Sequence, residues 1–235
     1  CTRNCRFCAV GDQPAPPDPD EPRRVAEAVR SMGLKHAVIT SVTRDDMPDG
    51  GAGLFAATIA AIRRILPETT VEVLIPDFQG SRSALDTVMA AGPDILGHNV
   101  ETVSRLYPGT RPKADYQQSL TLLKNAKTIA PEMITKSGIM GGLGETESEL
   151  LETIDQIRTA GADILTLGQY LRPGPAHLPV QRYYPPEEFE LLKGRAKEMG
   201  FSWVEAGPLV RSSYRAERQA RALCKGRQGE RRSIK

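Results

Sequence analysis

The sequence predicts an α/β protein built on a sheet of parallel strands. Short runs rich in β-branched residues alternate with longer helical patterns along most of the 235 residues. Repeated strand and helix units require parallel strands joined by right-handed crossovers, which leaves a doubly wound sheet or a barrel. The polar and glycine-rich segments come directly after strands, where a barrel carries its active-site loops, so we favour the barrel.

The predicted elements follow one another in a regular order. A helical pattern at 22–32 precedes the β-branched strand His-Ala-Val-Ile-Thr-Ser-Val at 36–42, and helix 51–66 precedes strand 71–75. Four further helix and strand pairs continue the alternation: 82–91 with 94–99, 115–129 with 133–139, 146–160 with 163–167, and 186–199 with 202–205. Residues 217–235 are basic and are expected to form a flexible, solvated tail.

Composition limits the classes of protein to be considered. With 40% hydrophobic residues and a net charge of +2, the chain can bury one large core, and no run of about 18 apolar residues predicts a membrane span. The basic tail lacks interleaved aromatic residues, which argues against nucleic-acid binding. A weaker hypothesis is that its positive charge attracts acidic carrier domains at low salt. Because the chain begins without methionine, a leader peptide cannot be judged, and we expect an incomplete protein.

The first eight residues contain three cysteines, Cys1, Cys5 and Cys8, with the spacing C-x3-C-x2-C. This set is one ligand short of a closed zinc site, but three thiolates suit a four-iron cluster with one open iron. The alternatives are a disulfide with a spare thiol or a fortuitous cluster. Cys224 is expected to be a thiol of the mobile tail.

The cysteine spacing, with Phe7 before the third cysteine, resembles the cluster loop of the radical S-adenosylmethionine enzymes. The resemblance implies that the open iron binds S-adenosylmethionine and that one electron cleaves it to a 5′-deoxyadenosyl radical. It also implies a partial (β/α)6 TIM-like barrel. Since the cluster loop follows the first strand in that fold, the first strand is expected to be missing from this chain.

Segments that follow the strands contain the candidate binding residues for S-adenosylmethionine. Asp49, Gly50 and Gly51 resemble the methionine-binding strand end of that superfamily, although an Asp-rich turn before a helix is an equal alternative. Asn99 and Glu101 would point the same way if their strand continued, and could bind ribose hydroxyls or an ammonium group, or merely cap the strand. Gly142 lies in a glycine-rich segment that resembles the adenine-side strand of the radical S-adenosylmethionine enzymes. Lys136 and Ser137, which come shortly before this segment, are the remaining candidates.

From Cys1 to about Ala216 the motifs closely resemble those of the lipoyl synthases, and Arg-Ser-Ser-Tyr at 211–214 is the most discriminating of them. The resemblance implies a radical S-adenosylmethionine core domain over 1–216. It implies sulfur insertion at C6 and C8 of a protein-bound octanoyl-lysine, with Ser213 as a weak iron ligand of a second, auxiliary four-iron cluster that donates its sulfides. The alternative for Ser213 is a hydroxyl that caps a helix or turn.

One departure from this family is that the auxiliary cluster's C-x4-C-x5-C cysteines are absent, which we attribute to truncation. The resemblance further implies octanoylated lipoyl domains of 2-oxoacid dehydrogenase E2 subunits or glycine cleavage H protein as substrates. A flavodoxin or ferredoxin as electron donor, Fe–S carrier proteins, a monomeric state, and a cytoplasmic location, or a mitochondrial or plastid one in a eukaryote, are expected too. The open alternatives are another radical sulfur-inserting enzyme and a noncatalytic Fe–S protein for electron transfer or sensing.

Overall fold

A computed structural model describes residues 1–224, whose framework is one sheet of six parallel strands. The strands are β1 (His36–Thr40), β2 (Thr70–Leu74), β3 (Ile95–Gly97), β4 (Ile134–Gly141), β5 (Ile164–Gln169) and β6 (Trp203–Gly207). Each strand pairs in parallel with the next one along the chain, so β1 and β6 form the two edges. A doubly wound sheet would reverse this order at a switch point, and the sequential order therefore identifies a partial barrel.

Helices connect the strands in the predicted order. They are α1 (Glu21–Ser31), α2 (Ala52–Ile65), α3 (Arg82–Ala90), the short α4 (Tyr107–Thr110), α5 (Tyr116–Ile129), α6 (Glu147–Thr159), α7 (Pro186–Glu198) and α8 (Ala216–Leu223). Local signals set several of these boundaries. For example, α6 begins at a capping box in which Thr146 accepts from the Glu149 amide and the Glu149 side chain accepts from the Thr146 amide. No helix within residues 1–224 is long and apolar enough to cross a membrane.

The two faces of the sheet pack against different elements. On the outer face, Val71, Val73 and Leu96 pack with α1, α2, α3 and α5, and Leu165 packs with α6 and α7. Because side chains alternate along a strand, their neighbours point to the opposite face, which we call the inner face. The inner face has a separate, smaller apolar cluster, which contains Ile95, Ile164 and residues of α8.

Helix α8 corrects the prediction of a flexible tail from residue 217 onwards. Gln219 and Ala220 are buried on the inner face, and Cys224, expected to be a mobile thiol, is only 1% exposed. The expectation failed because the basic residues of α8 occupy its exposed side, while the few small and uncharged residues between them supply the buried side. The rest of the predicted tail, 225–235, lies outside the described residues.

Candidate functional site

The cysteine loop lies at the carboxyl ends of the first strands, where Arg3 anchors it. The Arg3 guanidinium is buried and donates to Asp45 after β1 at 2.5 Å and to Asp77 after β2 at 2.5 Å. It also donates to the Lys113 carbonyl at 2.8 Å. A planar guanidinium with several donors can bind two carboxylates and a carbonyl at once, which a lysine could not do in the same geometry. The ion pairs hold the pKa of Asp77 below its usual value despite its burial.

Cys1, Cys5 and Cys8 are free thiols, and all three are half-buried. The loop turns at Cys5, whose carbonyl accepts from the Cys8 amide at 3.0 Å. Within residues 1–224, no three His, Cys, Asp or Glu side chains converge closely enough to hold a single metal ion. A four-iron cluster does not require such convergence, because each thiolate binds a different iron. Three accessible soft donors on one anchored loop therefore fit this group by their chemistry.

Arg111 lies beside the cysteine loop and supplies positive charge there. Its side chain interacts electrostatically with the Cys5 thiol, donates to the Tyr107 hydroxyl at 2.8 Å, and lies 5.1 Å from the centre of the Tyr107 ring. Burial raises the pKa of the Cys5 thiol, and the charge of Arg111 opposes this effect. Cation and thiol are thus placed so that a thiolate at Cys5 would be stabilised.

A cavity of about 150 Å³ opens at the carboxyl ends of β1 to β3 and contains two of the predicted binding residues, Asn99 and Glu101. Its other lining residues are Thr40, Ser41, Thr43, Leu74, Ile75, Pro76, His98 and Arg111. Strand β3 ends at Gly97, and Glu101 has a φ of 73°. The two side chains therefore reach one cavity through an irregular segment and not through a continued strand. Burial raises the pKa of the Glu101 carboxyl, an effect that Arg111 partly offsets.

His98 is a buried, uncharged member of this cavity. Its Nδ1 atom donates to the Ile75 carbonyl at 2.9 Å, and its Nε2 atom has no hydrogen-bond partner within the described residues. Burial lowers the pKa of His98 to about 4. The neutral ring with its proton on Nδ1 has a lone pair on Nε2, which is an acceptor available to a bound molecule.

The structure gives Lys136 and Ser137 other partners than the expected ligand. The Lys136 ammonium is 1% exposed and donates to Glu72 at 2.8 Å on the inner face. The Ser137 hydroxyl accepts from the Val100 amide at 3.3 Å. Neither residue lines the cavity of Asn99 and Glu101. Their contact with S-adenosylmethionine stays a prediction, which these bonds do not favour.

The Asp49, Gly50 and Gly51 segment forms the glycine turn that begins α2. The Asp49 carboxylate accepts from the Gly51 amide at 2.9 Å and from the Gly53 amide at 2.8 Å. Gly50 and Gly51 both have positive φ, 61° and 89°, as the helix-start alternative requires. Gly51 lines a larger groove, about 540 Å³, along the edge strand β1 that contains none of the three loop cysteines.

Gly142 begins a loop after β4 that folds onto the segment following β5. Its φ is 103°, and a Cβ atom there would lie 2.6 Å from the Arg182 carbonyl, so only glycine fits. Glu145 accepts from the Gly142 amide at 2.6 Å and the Leu143 amide at 2.9 Å. The Gln181 amide donates to the Gly142 carbonyl at 2.9 Å.

Phe7, which lies between Cys5 and Cys8 in sequence, is half-buried in the structure.

Ser213 lies in a turn between β6 and α8, which we call the serine turn and define as residues 211–216. Ser213 is exposed, and its backbone carbonyl accepts from the Ala216 amide at 3.2 Å. The Asn99 amide donates to the Ser212 hydroxyl at 2.8 Å. This bond brings the serine turn next to the cavity of Asn99 and Glu101, although more than 110 residues separate them in sequence.

Sequence reasoning missed Arg3, Arg111 and His98 as members of this site. Arg3 lies inside the cysteine spacing, and an arginine between thiols could have suggested an anchor for the loop. His98 directly precedes Asn99, but the sequence does not show that its Nδ1 atom is hydrogen-bonded while its Nε2 atom has no partner within the described residues. Arg111 belongs to no sequence motif, because its place beside the cysteine loop depends on how α4 folds.

Comparison with known proteins gives consistent matches. Residues 1–157 match the Radical SAM superfamily. The lipoyl synthase of Rubrobacter xylanophilus is 57% identical over 232 residues, which cover 98% of this chain and 72% of that protein. The lipoyl synthase of Thermus thermophilus is 58% identical over 221 residues, 93% of this chain and 68% of that protein. That of Chlorobium limicola is 52% identical over 219 residues, 92% of this chain and 75% of that protein.

Solved structures of low sequence identity share the fold. SuiB of Streptococcus suis superposes with a TM-score of 0.67 at 12% identity, over 87% of this chain and 47% of that chain. Methylornithine synthase (PylB) superposes with a TM-score of 0.58 at 14% identity, over 87% of this chain and 67% of that chain. These likenesses support the partial barrel.

Proposed function

The chain belongs to the lipoyl synthase family of the Radical SAM superfamily, and from this premise we propose how its residues divide the work. Lipoyl synthases are sulfurtransferases that insert sulfur at C6 and C8 of an octanoyl chain carried on a lysine of a lipoyl domain. They use S-adenosylmethionine and a four-iron cluster. The observation that carries our assignment of residues is the Asn99 to Ser212 hydrogen bond, which joins the cavity near the cysteine loop to the serine turn.

Cys1, Cys5 and Cys8 are the thiolates that hold the cluster. When bound, the cluster supplies the electron that cleaves S-adenosylmethionine to a 5′-deoxyadenosyl radical. Arg3 fixes the loop through its two carboxylates, and Arg111 stabilises the negative charge of the Cys5 thiolate. Both arginines keep the loop in one place, so that a bound cluster would have a fixed position.

Asn99, Glu101 and His98 bind the polar groups of S-adenosylmethionine in their cavity. The Glu101 carboxylate is an acceptor for an ammonium or ribose hydroxyl group, and His98 Nε2 offers a second acceptor. Gly142 lets the backbone approach the adenine side closely. Further predicted contacts with S-adenosylmethionine are Phe7, Asp49, Gly50 and Gly51. Asp49 also stabilises the start of α2, where its carboxylate accepts from the Gly51 amide.

Ser213 is the ligand of a second, auxiliary four-iron cluster that serves as the sulfur source. A serine oxygen is a poor partner for iron compared with thiolate, so Ser213 would hold an iron of such a cluster only weakly. The exposure of Ser213 makes its hydroxyl accessible for this purpose. The two-cluster count belongs to this proposal.

The substrates are lipoyl domains, and we propose those of the 2-oxoacid dehydrogenase E2 subunits and the glycine cleavage H protein in their octanoylated forms. A flavodoxin or ferredoxin would supply electrons, and Fe–S carrier proteins would deliver the clusters. The protein would work as a monomer in the cytoplasm, as suits half-buried free thiols that need a reducing compartment.

The test is anaerobic loading with iron and sulfide, followed by reduction with and without S-adenosylmethionine. We expect the electron paramagnetic resonance signal of the reduced cluster to change on addition of S-adenosylmethionine, and 5′-deoxyadenosine to form. Cys8→Ala should abolish both results, whereas Cys224→Ala, which removes a thiol distant from the loop in sequence, should retain them. An unchanged signal without 5′-deoxyadenosine in the parent protein would contradict the assignment of the loop.

Ser213→Ala tests the second half of the assignment. In a form of the protein that includes the auxiliary-cluster cysteines, we expect the variant to cleave S-adenosylmethionine at the parent rate with an octanoylated lipoyl domain present, but to form no lipoyl product detectable by mass spectrometry. Ser212→Ala leaves Ser213 intact but removes the hydroxyl that accepts from Asn99, so we expect it to lower lipoyl formation without abolishing it. Full lipoyl formation by Ser213→Ala would refute the role of Ser213.

A further inference from the structure

A chain of buried polar side chains crosses the inner face of the sheet and ends on α8. Glu72 of β2 and Lys136 of β4 are each 1% exposed and form an ion pair of 2.8 Å. The Lys136 ammonium also donates to Gln219 Oε1 at 2.8 Å, and Gln219 is 0% exposed. His36 of β1 completes the chain, with its Nε2 atom 3.2 Å from Glu72.

Such an arrangement restricts the geometry of its members. Burial of an ion pair is costly, so both charges must keep their remaining hydrogen bonds in the folded state. The Lys136 ammonium has one carboxylate and one amide oxygen to satisfy it, and the amide oxygen comes from α8. Lys136 therefore fixes the orientation of the Gln219 amide, with its nitrogen pointing away from the ammonium group.

The Gln219 nitrogen reaches the serine turn. Its Nε2 atom donates to the Tyr214 carbonyl at 2.9 Å, and Tyr214 is the residue directly after Ser213. The other side of the turn is held by the Asn99 bond to Ser212. Gly168 of β5 lets the residue before the turn approach the sheet closely, because a Cβ atom there would lie 2.2 Å from the Val210 carbonyl. Ser213 itself is exposed, and its hydroxyl has no hydrogen bond to another of residues 1–224.

We propose that Gln219, oriented by Lys136, is a positioning residue for Ser213: through the Tyr214 carbonyl it holds the serine turn in the conformation that presents the Ser213 hydroxyl. This inference rests on the proposed role of Ser213 and assigns Lys136 a task on the inner face in place of direct contact with S-adenosylmethionine. Gln219 does not touch substrate or cluster and acts only through the turn.

Hydrogen exchange measured by mass spectrometry tests the positioning without any cofactor. Gln219→Glu keeps the shape and an oxygen for Lys136, but places a carboxylate oxygen against the Tyr214 carbonyl. We expect the amides of Tyr214 and Ala216, which donate to Arg211 and Ser213, to exchange about three- to tenfold faster in the variant. Arg221→Ala is the matched control, because Arg221 lies on the exposed side of α8 and pairs with Glu217.

Two further measurements separate a local effect from a loss of folding. Trp203, the single tryptophan, belongs to the apolar cluster that α8 forms with the sheet, so unchanged emission shows that α8 stays docked. Gln219→Met, which removes both polar atoms at similar size, should loosen the turn to the same degree. Parent exchange rates in the turn of both variants would overturn the proposal. So would faster exchange that extends equally to β4 and is accompanied by a shift in Trp203 emission.

The orienting role of Lys136 is tested by the double variant Lys136→Met with Glu72→Gln, which removes both charges and leaves no uncompensated ion. We expect the turn to exchange about threefold faster or more, as in Gln219→Met. If the turn of the double variant exchanges at the parent rate, Lys136 does not orient Gln219 and that part of the proposal is wrong.

The holoenzyme supplies the readout specific to Ser213. In a form of the protein that includes the auxiliary-cluster cysteines, we expect Gln219→Glu to form 5′-deoxyadenosine at the parent rate, while the lipoyl product formed per 5′-deoxyadenosine falls about threefold or more. Arg221→Ala should keep the parent ratio. Failure of the parent itself to form 5′-deoxyadenosine would refute the proposed function and leave the exchange result intact. A loosened turn with a parent product ratio would overturn the link from Gln219 to Ser213.

Discussion

Lowering the pH from 7 to 5 should destabilise this protein through His98. The ring is 2% exposed, donates from Nδ1 to the Ile75 carbonyl, and has a pKa lowered by burial from 6.5 to about 4. The folded state therefore resists protonation at a pH where the unfolded chain binds a proton. Since the unfolded state binds more protons between about pH 4 and 6.5, stability is present in full above this window and is lost as the pH falls through it.

The size of the effect follows from the two pKa values of His98, 6.5 unfolded and about 4 folded. At pH 5 nearly all unfolded molecules but only about a tenth of the folded ones have a protonated His98, which corresponds to a loss of about 2 kcal/mol relative to pH 7. A loss of this size is a large fraction of the stability of an ordinary domain.

Two assays measure this prediction. Imidazole carbon-bound protons followed by nuclear magnetic resonance should show one of the three histidines titrating near pH 4, and the signal should be missing in His98→Gln. Urea unfolding at pH 7 and pH 5 should show the extra loss of about 2 kcal/mol in the parent but not in His98→Gln, because the other titrating groups cancel in the difference. A His98 signal that titrates near pH 6.5, or parallel pH profiles of the two proteins, would refute the reasoning.

Three further perturbations test individual contacts. Arg3→Ala leaves the buried Asp77 carboxylate without its cation and should lower the free energy of unfolding by about 3 kcal/mol or more in urea titrations, whereas Arg23→Ala on the exposed face of α1 should cause no measurable change. Gly168→Ala forces a methyl group towards the Val210 carbonyl and should lower the free energy of unfolding by about 1–3 kcal/mol. Gly194→Ala, which has open space around it inside α7, should leave the free energy of unfolding equal or higher. Equal effects of the two substitutions would contradict the steric argument. Glu145→Gln replaces one of two accepting oxygens by a donor, so the amides of 142–143 should exchange several-fold faster, and unchanged protection would show that the carboxylate is dispensable.

The order of the elements could be predicted from the sequence because each strand and helix has its own local signal. Predicted strands 36–42 and 133–139 correspond to His36–Thr40 and Ile134–Gly141, so the errors are confined to the ends. The end of β3 at Gly97 and the left-handed Glu101 were not predictable, since both depend on contacts with β4. Helix α8 was missed for a related reason: its charge composition suggests a solvated tail, and only the presence of the inner face makes its small uncharged residues a buried surface.

In the candidate site too, contiguous motifs could be predicted from the sequence, whereas contacts between residues far apart in sequence could not. The cysteines and the serine turn are contiguous motifs, so their chemistry can be interpreted without a structure. Pairings over long distances in sequence, such as Arg3 with Asp77 or Asn99 with Ser212, have no local signal, because any aspartate or serine in a polar segment would look equivalent. These pairings nevertheless decide what the motifs can do, since they set the position of the cysteine loop relative to the serine turn. A variant that keeps every motif but breaks one such pairing should therefore keep its ligand residues and hold the serine turn less firmly, which is the result expected when Lys136→Met with Glu72→Gln removes the bond from Lys136 to Gln219.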